Sequence, residues 1–132
     1  MSIVQKAYLI DDDSNTNFLN KIVLNQFHFA EEVSDFINPE DALEQLKTIK
    51  VSKEREPDII FLDLNMPRMN GWSFMEEFVQ LNLSDTIVIM LSSSIDPRDI
   101  KRASTTPGLE SFQSKPLSKG ILQEIAKTHF TS

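Results

Sequence analysis

The chain has 132 residues, 40% of them hydrophobic and 25% charged, which predicts one domain (1–132) that buries its own core and carries no separate output module. Its net charge of −7 argues against a nucleic-acid ligand, and with no cysteine and only His28 and His129 it excludes disulfides, thiol redox chemistry and a zinc site. No apolar run approaches a bilayer span and no secretory leader precedes the acidic triplet at Asp11, so a cytoplasmic protein with no membrane partner is expected.

Short β-branched or aromatic runs alternate with longer amphipathic stretches, the rhythm of βα units around a parallel sheet, and five such units fit the chain. Ala7–Ile10 reads as a central strand ending at Asp11-Asp12-Asp13. Ser14 is expected to cap the following helix, whose Phe18, Leu19, Ile22, Val23 and Phe27 form one apolar stripe predicted to face the sheet. A second strand lies within Ala30–Ile37. Asn38-Pro39-Glu40-Asp41 is an N-cap, a first-turn proline and an acidic first turn, leading into Ala42, Leu43, Leu46 and Ile49. Lys50–Glu56 is charged and reads as a helix end plus a solvated loop, closed by Pro57.

Asp58–Leu62 is the third strand, followed by Asp63, a loop from Asn65 to Gly71, and a helix with Trp72, Met75 and Val79, of which Trp72 and Met75 are expected to be core. Thr86–Leu91 is the fourth strand. Asp96-Pro97 repeats the cap-and-proline signature for a short helix that Thr105-Thr106-Pro107-Gly108 must end. A polar last strand lies at about Ser111–Ser114, and a helix with Ile121, Leu122 and Ile125 closes the pattern.

In open parallel sheets the ligand site lies beyond the carboxyl ends of the strands. The first strand delivers Asp11 and Asp12 there, the third Asp63, the fourth Ser92, and the fifth Lys115 with Pro116. Clustered carboxylates repel one another, and a hard divalent cation with oxygen ligands relieves that repulsion; an oxygen-only set favours Mg²⁺ or Mn²⁺ over zinc. A phosphoryl group at such a site meets the metal, the Lys115 ammonium and the Ser92 hydroxyl. A carboxylate is then the available nucleophile, and its product, an acyl phosphate, is open to hydrolysis. That is the chemistry of a reversible switch.

Tyr-Leu-Ile-Asp-Asp-Asp-Ser at 8–14, Ile-Ile-Phe-Leu-Asp-Leu-Asn-Met-Pro-Arg-Met-Asn-Gly at 59–71, Val-Ile-Met-Leu-Ser-Ser-Ser at 88–94 and Phe-Gln-Ser-Lys-Pro-Leu at 112–117 occur in order across nearly the whole chain. Together they closely resemble the receiver domain of two-component response regulators, in the stand-alone form of the chemotaxis regulator. The resemblance implies a flavodoxin-like doubly wound (βα)₅ fold with strand order 2-1-3-4-5. It implies that Asp63 is the phosphoacceptor and that Asp12 ligates Mg²⁺ directly. Asp11 would then act through metal-bound water, and the Asn65 backbone carbonyl would be a further ligand. Ser92 would bond the new phosphoryl oxygen and Lys115 would pair with Asp63. Pro116 would follow a cis peptide bond, and Phe112 would occupy the rotamer-switch position. The implied partners are a sensor histidine kinase or phosphotransfer protein upstream and a protein target downstream.

Departures from the family pattern are the missing hydroxyl at Phe112, the polar Gln113 and Ser114, and Asp13, which is expected at the helix start. Residues 1–90 hold seven Lys and Arg against sixteen Asp and Glu, whereas residues 91–132 hold six against four. The surface of the fourth helix, fifth strand and fifth helix, with Arg98, Lys101, Arg102, Lys119 and Lys127, is therefore relatively basic. It reads either as a solvated face or as a docking face for an acidic partner. Two other functions compete with the receiver: a small Mg²⁺-dependent phosphohydrolase using Asp63 as a turnover nucleophile, and a degenerate receiver that binds constitutively. The first would place a second acid where Asn65 stands, and the complete acidic, hydroxyl and lysine set speaks against the second. A receiver is not an enzyme toward other substrates; it catalyses only its own phosphorylation and dephosphorylation.

Overall fold

The computed structural model describes residues 2–130. Its elements run β1 (Val4–Ile10), α1 (Ser14–Gln26), β2 (Ala30–Phe36), α2 (Pro39–Ser52), β3 (Ile59–Asp63), α3 (Gly71–Gln80), β4 (Ile87–Ser92), α4 (Pro97–Ser104), β5 (Leu109–Ser114) and α5 (Lys119–His129). The strands form one sheet in the order β2-β1-β3-β4-β5, every neighbouring pair parallel. This is the flavodoxin-like arrangement that the resemblance implied, and the order reverses between β1 and β3, where the doubly wound rule puts a ligand crevice.

The period-two alternation of strand side chains divides the core. Tyr8, Ile10, Ile60, Leu62, Val88 and Met90 point to the face covered by α2, α3 and α4, where they meet Leu43, Leu46, Phe74, Met75 and Ala103. Ala7, Leu9, Ile59, Phe61, Ile89 and Leu91 point to the other face and meet Leu24 of α1 and Leu122 and Ile125 of α5. Each fully buried side chain of this size stabilises the fold by about 1.5–3 kcal/mol. The three central strands therefore form a rigid platform. Trp72 and Met75 are core residues, as their spacing predicted.

Several local expectations need correction. In α1 only Asn17, Asn20 and Leu24 are buried, while Phe18, Leu19 and Ile22 of the predicted sheet-facing stripe are 64%, 59% and 45% exposed. Only Val23 and Phe27 of that stripe pack against the core, and they are partly buried. The physical reason is that the first turns of α1 lie against strand ends and a loop, whose free backbone groups accept amide partners rather than hydrocarbon. Asp13, not Ser14, is the α1 N-cap, its carboxylate accepting from the Asn15 N–H at 2.9 Å. Asn38 stands at the α2 N-cap, but its amide bonds the Asp41 side chain and makes no backbone cap. Helix α2 ends at Ser52, inside the charged stretch read as a helix end plus loop, and Lys53, at φ 60°, turns the chain out. Strand β1 starts at Val4, earlier than expected, because its first residues pair with β2 from Ala30 on, while the Gln5 and Lys6 N–H groups also bond Asp58 Oδ2 at 2.8 and 3.0 Å.

Candidate functional site

The site grows from the carboxyl ends of β1, β3, β4 and β5. Asp11 follows β1 and stays buried because its N–H donates to the Phe36 carbonyl at 3.0 Å. Its Oδ1 accepts from the Asp13 N–H at 2.9 Å, which leaves Oδ2 free to face the pocket. Asp12 is exposed beside it. Asp63 is the last residue of β3 and is only 4% exposed.

Beyond Asp63 the chain turns back sharply: the Leu64 N–H bonds the Leu91 carbonyl, and the Gly71 N–H bonds the Leu64 carbonyl at 2.8 Å. A Cβ on Gly71 would lie 2.8 Å from Met90 Cε and 3.2 Å from the Asp63 carbonyl. Glycine is thus what lets α3 begin against the end of β3. Asn70 then caps α3, its Oδ1 accepting from the Ser73 N–H at 2.9 Å.

The structure brings together Asp11, Asp12, Asp63 and Lys115. A carboxylate oxygen from each of the three aspartates lies within 4.8 Å of the other two. The Lys115 ammonium sits 2.6 Å from Asp11 Oδ2 and 2.8 Å from Asp63 Oδ1. The pairing with Asp63 was expected; the equally close pairing with Asp11 was not legible in the sequence, since it depends on how β1 and β3 sit side by side. Lys115 is itself anchored through its N–H, which bonds the Ser92 carbonyl at 2.9 Å, and the Lys115-Pro116 peptide bond is cis, as the resemblance implied.

Electrostatics follow from this burial. Burial pushes the Asp63 carboxyl up to about 6, the Asp11 and Asp12 charges push the same way, and the Lys115 hydrogen bond and charge oppose them. Burial acts to lower the Lys115 ammonium, but its hydrogen bonds to Asp11 and Asp63 outweigh that and hold it above the ordinary lysine value. One ammonium therefore faces a pocket with an excess of negative charge. An all-oxygen donor set of this size and charge suits a hard divalent cation.

Other predicted residues stand at the margin of this cluster. Ser92 closes β4 and is fully buried, but its hydroxyl donates to the Ser94 carbonyl at 2.8 Å and accepts from the Ser94 N–H at 3.2 Å. Asn65 is exposed on the loop after β3. Phe112 lies on β5 opposite Met90, half-buried and packed against the core on the α3 and α4 side. Among the basic residues, Arg98 pairs with Asp96 at 2.9 Å, Arg102 lies over the Trp72 ring at 4.6 Å, and Lys119 lies over Phe27 at 5.6 Å, on the opposite face of the sheet.

Sequence reasoning missed two residues that touch this frame. Asn17 Nδ2 donates to the carbonyls of Asp11 and Phe36 at 3.0 and 3.1 Å, and Asn20 Oδ1 accepts from the Leu117 N–H at 3.4 Å. The available signal was an Asn-x-x-Asn-x-x-x-Leu spacing, which puts those side chains on one helix face.

The family model for the response regulator receiver domain matches residues 7–127. Among solved structures, a two component response regulator from Cytophaga hutchinsonii is 34% identical with a TM-score of 0.88, covering 97% of each chain. A response regulator receiver protein from Dyadobacter fermentans is 26% identical with a TM-score of 0.84, covering 97% of this chain and 99% of that one. A curated relative, the protein-glutamate methylesterase/protein-glutamine glutaminase 2 of Chromobacterium violaceum, is 32% identical over 127 residues, 90% of this chain and 32% of that protein. The chain spans a third or less of the length of the curated relatives it matches. With β-strand order, acidic cluster and family model in agreement, this chain belongs to the response regulator receiver domain family.

Proposed function

We propose that this receiver accepts a phosphoryl group on Asp63 in a histidine-to-aspartate relay and switches protein contacts in response. The observation that carries the reading is the Lys115 ammonium between Asp11 and Asp63, at 2.6 and 2.8 Å, at the end of β3. An Asp63 oxygen attacks phosphorus in line; the O–P bond forms as the donor's N–P bond breaks, and the bonding pair leaves with the imidazole. Lys115 follows the charge from the carboxylate to the phosphoryl oxygens. Ser92 turns its hydroxyl from Ser94 to a phosphoryl oxygen. Asp11, Asp12, Asp63 and the Asn65 carbonyl would hold Mg²⁺, which supplies positive charge to the transferring group when bound.

The product is an acyl phosphate that water can cleave. Asn65, an amide, stands where a haloacid-dehalogenase-like phosphatase carries its second acid, and this favours storage of the phosphoryl group over turnover. The chain then catalyses only its own phosphorylation and dephosphorylation. The phosphodonor is a sensor histidine kinase or phosphotransfer protein, and the downstream target is a protein that reads α4, β5 and α5, with Phe112 as the rotamer switch. No helix among the described residues is long and apolar enough to cross a membrane, and this reading takes the cytoplasm as the setting.

Incubation with Mg²⁺ and acetyl phosphate, read by intact mass, should give a stoichiometric gain of about 80 Da, one phosphoryl group, and EDTA should abolish it. Sustained phosphate release without a stored adduct would instead indicate a phosphohydrolase. No reaction would indicate a receiver that binds its partner without phosphorylation.

A further inference from the structure

Helix α1 is turned with its polar face inward. Its buried residues are Asn17, Asn20 and Leu24, 1%, 3% and 0% exposed, while Phe18 and Leu19 are in solvent. Leucine at both asparagine positions would normally serve such a face better, since a buried amide must find partners. The partners it finds are informative. Asn17 Nδ2 ties together the carbonyls of Asp11 and Phe36, the residues at the carboxyl ends of β1 and β2. Its Oδ1 accepts nothing from the described residues, so what Asn17 contributes there is the donor. One helical turn on, Asn20 offers the opposite group: its Oδ1 receives the Leu117 N–H, just after Lys115 and Pro116.

We infer that Asn17 and Asn20 are positioning residues for phosphoryl transfer, Asn17 setting Asp11 and Asn20 setting the segment that carries Lys115. The inference deepens the proposed function and rests on it. Asp11 and Lys115 come from segments 104 residues apart, yet their side chains meet at 2.6 Å. One rigid helix face that holds both segments fixes that distance better than two separate loops can. Partners of this kind, which hold the groups that touch metal or substrate, commonly change affinity or rate by 10–100-fold when removed. The two asparagines act on different members of the pocket, so their effects separate. Asn17 bears on Asp11 and hence on metal binding, whereas Asn20 bears on Lys115 and hence on the transfer step.

The test uses Asn17→Leu and Asn20→Leu in the full chain, with Asn17→Ser and Asn20→Ser as replacements should either leucine variant fail to fold. Mg²⁺ affinity is read by amide NMR titration with Mg²⁺ alone, phosphorylation rate at saturating Mg²⁺ with acetyl phosphate, and stability by thermal melt. Asn17→Leu should weaken Mg²⁺ binding about tenfold with the saturated rate within about twofold of wild type, and Asn20→Leu should do the reverse. In the Mg²⁺-free protein the Leu117 amide should exchange with solvent faster in Asn20→Leu alone, a readout that requires no phosphorylation. Loss of stability with both parameters unchanged, or both parameters falling together in each variant, would overturn the inference by reducing the asparagines to packing. Wild-type protein that binds Mg²⁺ but takes up no phosphoryl group would contradict the proposed function instead, while the Asn17 arm, read with Mg²⁺ alone, would still be decided.

Discussion

At Asp63, burial beside two other carboxylates raises the carboxyl from an ordinary 3.8 to about 6, against the pull of Lys115. Between those values the folded protein keeps a proton that the unfolded chain has released, so stability falls as pH rises from about 4 to about 6. Below that window both states are protonated and the penalty is absent. In Mg²⁺-free buffer near neutral pH, Asp63→Asn should therefore melt higher than wild type, by at most about 3 kcal/mol for a shift of this size. The gain should shrink on acidification and vanish below about pH 4. Melts of both proteins across that range check it; an equal difference at every pH would mean that the carboxylate is not held at a cost. On the proposed function the same substitution removes the nucleophile, so any gain in stability should come with loss of phosphoryl uptake. The tension at this residue is what a bound cation or phosphoryl transfer can exploit, because the pocket already holds charge it would otherwise avoid.

Helix α1 is the element where sequence and structure part company. Its apolar spacing is genuine, but amphipathic periodicity only says that one face differs from the other; it does not say which face the fold buries. Here Asn17 and Asn20 go inward because they meet backbone groups at strand ends, and Phe18, Leu19 and Ile22 are left in solvent. Leu24→Ala should cost about 2–5 kcal/mol, the range for truncating a fully buried leucine. Phe18→Ala should change stability by no more than about 0.5 kcal/mol, as for an exposed position. Chemical denaturation of the two variants checks the orientation; comparable losses would return the predicted stripe to the sheet. Helices α2 and α4 were more legible because a first-turn proline, Pro39 or Pro97, fixes their starts locally, and in α4 Asp96 adds a cap, accepting from the Arg98 N–H at 2.8 Å. The strands were legible too, since Ile60, Leu62, Val88 and Met90 alternate with Phe61, Ile89 and Leu91 between two buried faces.

Across the whole molecule, the convergence of Asp11, Asp12, Asp63 and Lys115 could be read from the sequence because each lies at or just past the carboxyl end of a strand at the same edge. What could not be read was the second partner of Lys115 and the present hydrogen bonds of Ser92, both of which depend on side-chain directions set by neighbouring strands. On the proposed function those bonds would give the switch its route: drawing Ser92 toward a phosphoryl oxygen would break its turn with Ser94 at the end of β4, where Ser92 pairs with Ser114 of β5, two residues on from Phe112. Beryllofluoride with Mg²⁺, a stable phosphoryl mimic, should therefore shift amides from Asp63 through Ser92 to residues 98–119. Shifts confined to the acidic cluster would leave signalling to direct recognition of the pocket. The central claim, that Asp63 receives the phosphoryl group, has a more direct test. Borohydride reduces an aspartyl phosphate to homoserine, and the tryptic peptide 56–68 contains both Asp58 and Asp63, so fragmentation distinguishes them. After incubation with Mg²⁺ and acetyl phosphate followed by borohydride, Asp63 should be the reduced residue. Reduction at Asp11, Asp12 or Asp58 with Asp63 intact, or no reduced aspartate in a protein that has gained mass, would contradict it.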